Sequence, residues 1–196
     1  MKVIGLTGGI GMGKSFVAAA FRRHGVPTHD ADRAVHALLA KGGTAVPPIA
    51  AAFPAVVHDG RIDRAALGAR VFDDPAALAR LEGIVHPLVR RAQQRFLAGC
   101  RRSGRPLALL DVPLLLETRN AAGADLVVVV SAPPSVQRAR VLLRPGMTHA
   151  RLDAIRARQM ADSEKRRRAD VVIRTGLSRH HTLRQVRRLL SRLRGR

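Results

Sequence analysis

Apolar residues fall in short blocks along this chain, and the blocks switch between two periods. Residues 3–7 are apolar at nearly every position, as a strand covered on both faces requires. Residues 14–24 instead gather Val17, Ala20 and Phe21 on one side of a helix, which Gly25-Val26-Pro27 brings to an end. A short strand then leads into Asp30-Ala31-Asp32, with a helical stretch through Leu39. After the turn Ser103-Gly104-Arg105-Pro106, residues 107–112 predict a third strand. Residues 125–131, with valine at 127 through 130, predict a fourth, and residues 170–174 a fifth. From Thr182 onward, Leu183, Val186, Leu190 and Leu193 share one helix face and arginines occupy the other. Strands alternating with helices predict an α/β fold, a five-stranded parallel sheet flanked by helices.

The spacings predict two elaborations of that core. A parallel crossover needs about a dozen residues, yet residues 33–106 separate the second and third strands. Leu78, Leu81, Val85, Leu88, Ala92 and Phe96 give part of this interval a helical period. His86-Pro87 is expected to interrupt or restart it, since proline pushes its predecessor out of helical geometry. The second excursion reads as two helices around Arg144-Pro145-Gly146-Met147, with Thr148 as an N-cap. One domain is expected: a core at about 1–32, 105–133 and 169–196, a helical insertion at about 33–104, and a second at about 134–168.

Between the first strand and the first helix lies Gly8-Gly9-Ile10-Gly11-Met12-Gly13-Lys14-Ser15, a match to G-x-x-x-x-G-K-[ST] in the context its mechanism demands. Small residues let successive backbone N–H groups turn inward around a phosphate, and the following helix offers its positive end. Lys14 is the candidate for the β- and γ-phosphates, and Ser15 for Mg²⁺. The pattern points to a nucleoside triphosphate with a P-loop NTPase-type core. The plainer reading is a glycine-rich connection of strand to helix.

Carboxylates extend the site. Asp111 ends an apolar run, where a ligand to metal-bound water belongs, although a solvated strand end would look the same. Asp30 and Asp32 are two apart, so an extended backbone would point both to one side and let one accept a hydroxyl proton. Equally, Asp30 caps the next helix and Asp32 complements its dipole.

Composition narrows the partners. The 196 residues include 35 Lys and Arg against 14 Asp and Glu, a net charge of +21 that favours polyanions: nucleotides, phosphorylated metabolites or nucleic acid. An arginine-rich compositional habit explains the same excess. A nucleic-acid-binding module driven by the basic tail is weakened because the tail carries no aromatic platform for bases. No apolar run nears the length of about 18 residues that suggests a membrane span, so a soluble cytoplasmic protein without a membrane partner is expected. Cys100, the only cysteine, rules out an internal disulfide and a cysteine metal cluster. Oligomeric state leaves no trace here.

Several motifs occur together and in order: the phosphate loop, Asp30-Ala31-Asp32, Arg64-Ala65-Ala66-Leu67 with Arg70-Val71-Phe72, His86-Pro87, and Asp111-Val112-Pro113-Leu114-Leu115-Leu116-Glu117. Gln137 with Arg140 and Arg144, then Gln159, then Ala169-Asp170-Val171-Val172-Ile173 follow. From about residue 3 to residue 176 the chain resembles the dephospho-coenzyme A kinase family. The resemblance implies an ATP- and Mg²⁺-dependent kinase that phosphorylates the ribose 3′-hydroxyl of dephospho-coenzyme A, the last step of coenzyme A biosynthesis. It implies that residues 33–104 bind the acceptor and residues 134–168 form a lid. Asp32 would be the general base, acting with Lys14 and Arg140. Gly9, Gly11, Met12, Gly13, Lys14, Ser15, Phe16, Arg140 and Arg144 would meet ATP. Asp30, Asp32, Arg64, Arg70, His86, Leu115 and Glu117 would meet the acceptor, and Ser15 and Asp111 the metal. From the residues alone, Arg140 and Arg144 also read as a solvated basic face, His86 as a residue orienting a helix start, and Glu117 as a loop pin. Phe16, Thr118 and Arg174-Thr175 depart from the family pattern; the last pair bears on the adenine. Another small-molecule or nucleoside monophosphate kinase on the same core is the alternative enzyme.

Overall fold

The computed structural model describes residues 1–117 and 123–195, which leaves Thr118 outside. In chain order the elements begin with β1 (Lys2–Thr7), α1 (Lys14–Arg23), β2 (Thr28–Asp30), α2 (Ala31–Leu39) and α3 (Val46–Ala52). Next come β3 (Val57–His58), β4 (Arg61–Ile62), α4 (Arg64–Phe72), α5 (Pro75–Arg102), β5 (Leu107–Asp111) and β6 (Leu126–Ser131). The chain continues through α6 (Pro134–Leu142), α7 (His149–Ala157), α8 (Asp162–Arg167), β7 (Val171–Arg174) and α9 (Arg179–Leu193). It divides into two compact units, residues 1–29 with 100–196, and residues 30–99.

The first unit carries the expected five-stranded parallel sheet, in the order β2-β5-β1-β6-β7. β1 sits at its centre, pairing in parallel with β5 from Lys2↔Leu107 to Leu6↔Asp111, and with β6 from Ile4↔Leu126 to Thr7↔Val129. This register brings the end of β1, where the glycine loop starts, level with Asp111. The core is continuous across the strands: Ile4, Leu6, Leu109, Val128, Val130 and Ile173 pack with Val17 and Phe21 of α1 and with Val186 and Leu190 of α9. Burial of that apolar stripe leaves Arg184, Arg187, Arg188 and Arg192 of α9 in solvent, as its leucine spacing predicts. Thr148 caps α7 as expected, its hydroxyl accepting from Arg151 N–H at 3.2 Å.

The second unit has its own core, in which Leu39, Ile49, Phe53, Val56, Ile62 and Leu67 are buried and Leu81, Ile84, Val85 and Leu88 pack against them. Two expectations are corrected here. Pro87 does not interrupt the helix; α5 runs unbroken from Pro75 to Arg102 with Pro87 inside it. An internal proline costs about 3 kcal/mol, but the apolar residues just before and after it are held in one core, and that burial outweighs the local cost. Asp30 and Asp32 do not share an extended strand either. Asp30 closes β2 and its side chain accepts from Arg33 N–H at 3.0 Å as the N-cap of α2, while Asp32 is already in the helix's first turn. The capping alternative holds. The hairpin β3–β4 was foreshadowed only by Asp59-Gly60, whose φ angles of 50° and 73° suit a tight two-residue turn. Among the described residues, no helix is long and apolar enough to cross a membrane.

Candidate functional site

The glycine loop takes its shape from two left-handed positions. Gly11 has φ 73° and Gly13 φ 89°, and a Cβ on Gly11 would fall 2.5 Å from Val141 Cγ2. Gly13 is the N-cap of α1, so no side chain closes that helix end and no acidic residue stands in its first turn. The leading N–H groups of a helix have no intrahelical acceptors and carry its positive dipole end. The nose of α1 is thereby left open to an anion.

Lys14 and Ser15 open α1 beside it. Lys14 Nζ pairs with Asp111 Oδ1 at 2.5 Å, and Asp111 is buried at the end of β5. Ser15 is exposed, and Phe16 lies under the Arg179 guanidinium, 5.9 Å from the ring centroid. Arg140 comes to the loop from the last turn of α6. Its fork donates to Thr175 Oγ1 at 3.0 Å and to the Thr175 carbonyl at 2.6 Å, and the Thr175 hydroxyl donates to the Met12 carbonyl at 2.6 Å. Arg144 is exposed in the turn after α6. Lys14, Ser15, Asp111 and Arg140 thus gather around one loop.

The remaining candidates are placed otherwise. Leu115 is wholly buried, and a Cβ on Gly5 would come 2.6 Å from its Cδ2, so its side chain packs the sheet face. Glu117 accepts from Met160 N–H at 3.1 Å and pairs with Lys165 Nζ at 2.6 Å. Lys165 is fully buried, although the run Asp-Ser-Glu-Lys-Arg-Arg-Arg reads as a solvated helix face; nothing local in the sequence marks it. In the second unit Asp32 is exposed on α2. Arg64 Nη1 lies 3.2 Å from His36 Nδ1, and His36, four residues after Asp32, shares its helix face. That i,i+4 spacing was the available signal for His36. Arg70 lines a different cavity, with Phe53, Asp74 and Arg80, and His86 is exposed along α5.

Two glutamines were also read without a role. Ile10 N–H donates to Gln159 Oε1 at 3.0 Å, and Gln137 Nε2 donates to the Ile10 carbonyl at 2.8 Å. Both line a cavity of about 1050 Å³ that includes Gly9 and Met12 but none of residues 13–16, so it lies beside the loop and away from the nose of α1.

The sequence model of the CoaE, dephospho-CoA kinase, family matches residues 2–179. This chain belongs to the dephospho-CoA kinase family. It is therefore a kinase, and membership puts it at the final step of coenzyme A biosynthesis. It is 63% identical over 166 residues to the dephospho-CoA kinase of Paramagnetospirillum magneticum, covering 85% of this chain and 78% of that one. It is 53% identical to the dephospho-CoA kinase of Mesorhizobium japonicum over 195 residues, covering 100% of this chain and 98% of the relative. Among solved structures, TT1252 from Thermus thermophilus superposes with a TM-score of 0.85 at 36% identity, over 98% of this chain and 97% of the other. The fold class and the family expected from the motifs both hold.

Proposed function

We propose that this chain transfers the γ-phosphoryl group of ATP to the ribose 3′-hydroxyl of dephospho-coenzyme A, with the glycine loop as the phosphate cradle and Asp32 as general base. The observation that carries this reading is the Lys14–Asp111 pair beside the open N-terminus of α1. A cation held in place by a buried carboxylate is already oriented, and little ordering remains when a triphosphate enters. The backbone N–H groups at the start of α1 hold the β-phosphate, and Lys14 bridges toward the γ-phosphate. Arg140, its guanidinium fixed on Thr175, sets a second positive charge against the loop. Arg144, exposed at the end of α6, joins it when the excursion of residues 134–168 closes as a lid.

Magnesium fits the donors on this side. Ser15 offers an exposed hydroxyl and Asp111 a carboxylate, both hard oxygens, and no cluster of three or more His, Cys, Asp or Glu capable of caging a metal occurs among the described residues. A cation borne largely by phosphate and water needs no such cage. When bound, it neutralises charge on the transferring phosphoryl group.

On the acceptor side, residues 33–104 recognise dephospho-coenzyme A. Asp32 is exposed at the first turn of α2, where a carboxylate is free to take the hydroxyl proton, and His36 and Arg64 extend the same face. Arg70 and His86 supply further contacts. Asp30 and Glu117 serve by holding segments in place, and Leu115 by supporting the sheet. The reaction belongs in the cytoplasm, where both substrates are small and soluble.

A coupled assay for ADP tests the reading. With ATP and Mg²⁺ supplied, ADP release is expected to depend on dephospho-coenzyme A. A clear preference for a nucleoside monophosphate would defeat it.

A further inference from the structure

The backbone of Ile10 is gripped on both sides by side chains from distant parts of the chain. Its N–H meets Gln159 Oε1 at 3.0 Å and its carbonyl meets Gln137 Nε2 at 2.8 Å. The amide orientations follow from the backbone, since an N–H can only donate and a carbonyl only accept. Both glutamines converge on the same spot, because a Cβ on Gly9 would lie 3.3 Å from Gln159 Oε1 and 3.7 Å from Gln137 Nε2. Gln137 is buried in α6, and Gln159 lies between α7 and α8.

The first half of the loop needs such a grip. Gly8 is held by close approach to Val130, whose carbonyl oxygen would lie 2.7 Å from a Cβ there, whereas the cavity of about 1050 Å³ lies against Gly9 and Met12. The second half is fixed differently, through the Met12 carbonyl, Thr175 and Arg140. A glycine-rich segment without packing support samples many conformations, and each costs affinity for a ligand that needs one of them.

We propose that Gln137 and Gln159 are positioning residues for phosphoryl transfer: together they form a two-sided clamp on the backbone of Ile10, one holding the peptide group before its Cα and one the peptide group after it, that preorganises the phosphate loop. The clamp rests on the reading that this loop holds ATP. Its two jaws come from α6 and from the segment between α7 and α8, so the conformation of that excursion and that of the loop are set jointly. Neither glutamine touches a reacting atom. Their effect is on the ATP side alone.

The test compares Gln137→Met, Gln159→Met and the double variant with wild type, following the KM for ATP, the KM for dephospho-coenzyme A, and Tm. Each single change removes one hydrogen bond and is expected to raise the KM for ATP about tenfold. The acceptor KM is expected to stay within about twofold. Because the two side chains hold adjacent peptide groups on either side of one Cα, the double variant is expected to stay near the worse single one, well short of the product of the two effects. Multiplicative losses in the double variant, or a KM for dephospho-coenzyme A that rises in step with that for ATP, would overturn the clamp. Tm shows whether each variant is folded, and the Gln159 variant, at a half-buried position, serves if the buried Gln137 position does not tolerate change. Failure of wild type itself to use ATP defeats the functional reading, whereas wild-type turnover with unselective losses defeats the clamp alone.

Discussion

The phosphate loop and the acceptor-side helices are built on opposite plans. Around the loop, the candidate groups are backbone N–H groups and side chains that are themselves held: Lys14 by Asp111 and Arg140 by Thr175, while two glutamines hold the backbone of Ile10. In residues 30–99, the candidate groups Asp32, Arg64, Arg70 and His86 are all exposed, and among them Arg64 with His36 makes a side-chain contact. The contrast follows from the ligands. A triphosphate presents the same oxygens to every enzyme that binds it, so a rigid cradle is useful before it arrives. On the proposed reading a large acceptor meets side chains spread over several helices, which its binding would order.

The sharpest way to break this contrast is Asp32→Asn, since it asks an exposed residue to dominate the rate. Its kcat is expected to fall by about 10²–10⁴-fold, the scale of general base catalysis, with ATP affinity and Tm unchanged. Retained turnover would remove Asp32 from the role. Lys14→Ala is expected to come next, lowering kcat/KM for ATP about 10³-fold, the upper range for losing one preorganised charge contact. Unlike Asp32→Asn, it should also weaken ATP binding in a calorimetric titration.

A third change probes the prepared side for stability. Lys165→Met leaves Glu117 without its buried cation and is expected to cost about 3 kcal/mol in urea denaturation, whereas adding Glu117→Leu should recover much of it, because paired removal of buried charges is far cheaper than removing one. A single variant as stable as wild type would show the pair to be slack. The smallest effect belongs to the second unit. Asp63 caps α4, and hydrogen bonds from Ala66 and Ala65 N–H hold its carboxyl below the ordinary value of 3.8. Its contribution is therefore present above that value and lost as pH falls through the lower folded one. Asp63→Asn, which can still accept but does not titrate, should flatten the acid limb of Tm against pH slightly and leave neutral Tm almost unmoved.

The sheet, the loop and the family were legible because each is written in neighbouring residues. Short apolar runs in 3–7, 107–112 and 125–131 favour covered strands by their length and β-branched content, and Gly11, Gly13, Lys14 and Ser15 have meaning within eight positions of one another. Asp32 was legible as a candidate, but its place in a helix turn was not, because a carboxylate two residues after another fits strand and cap alike.

What tertiary structure alone decided is which polar groups meet across the chain. Lys165 is buried although its neighbours in sequence are charged, and Pro87 sits inside a helix because a core forms on both sides of it. Gln137 and Gln159, 22 positions apart, close on the backbone of a residue more than a hundred positions upstream. Local propensity is a matter of fractions of a kcal/mol for most residues and about 3 kcal/mol for proline. Burial of an apolar helix face contributes several, and stranding one partner of a buried ion pair costs about as much. The chain's own order could specify the strands and the cradle, but the partners that hold the cradle still were chosen by packing.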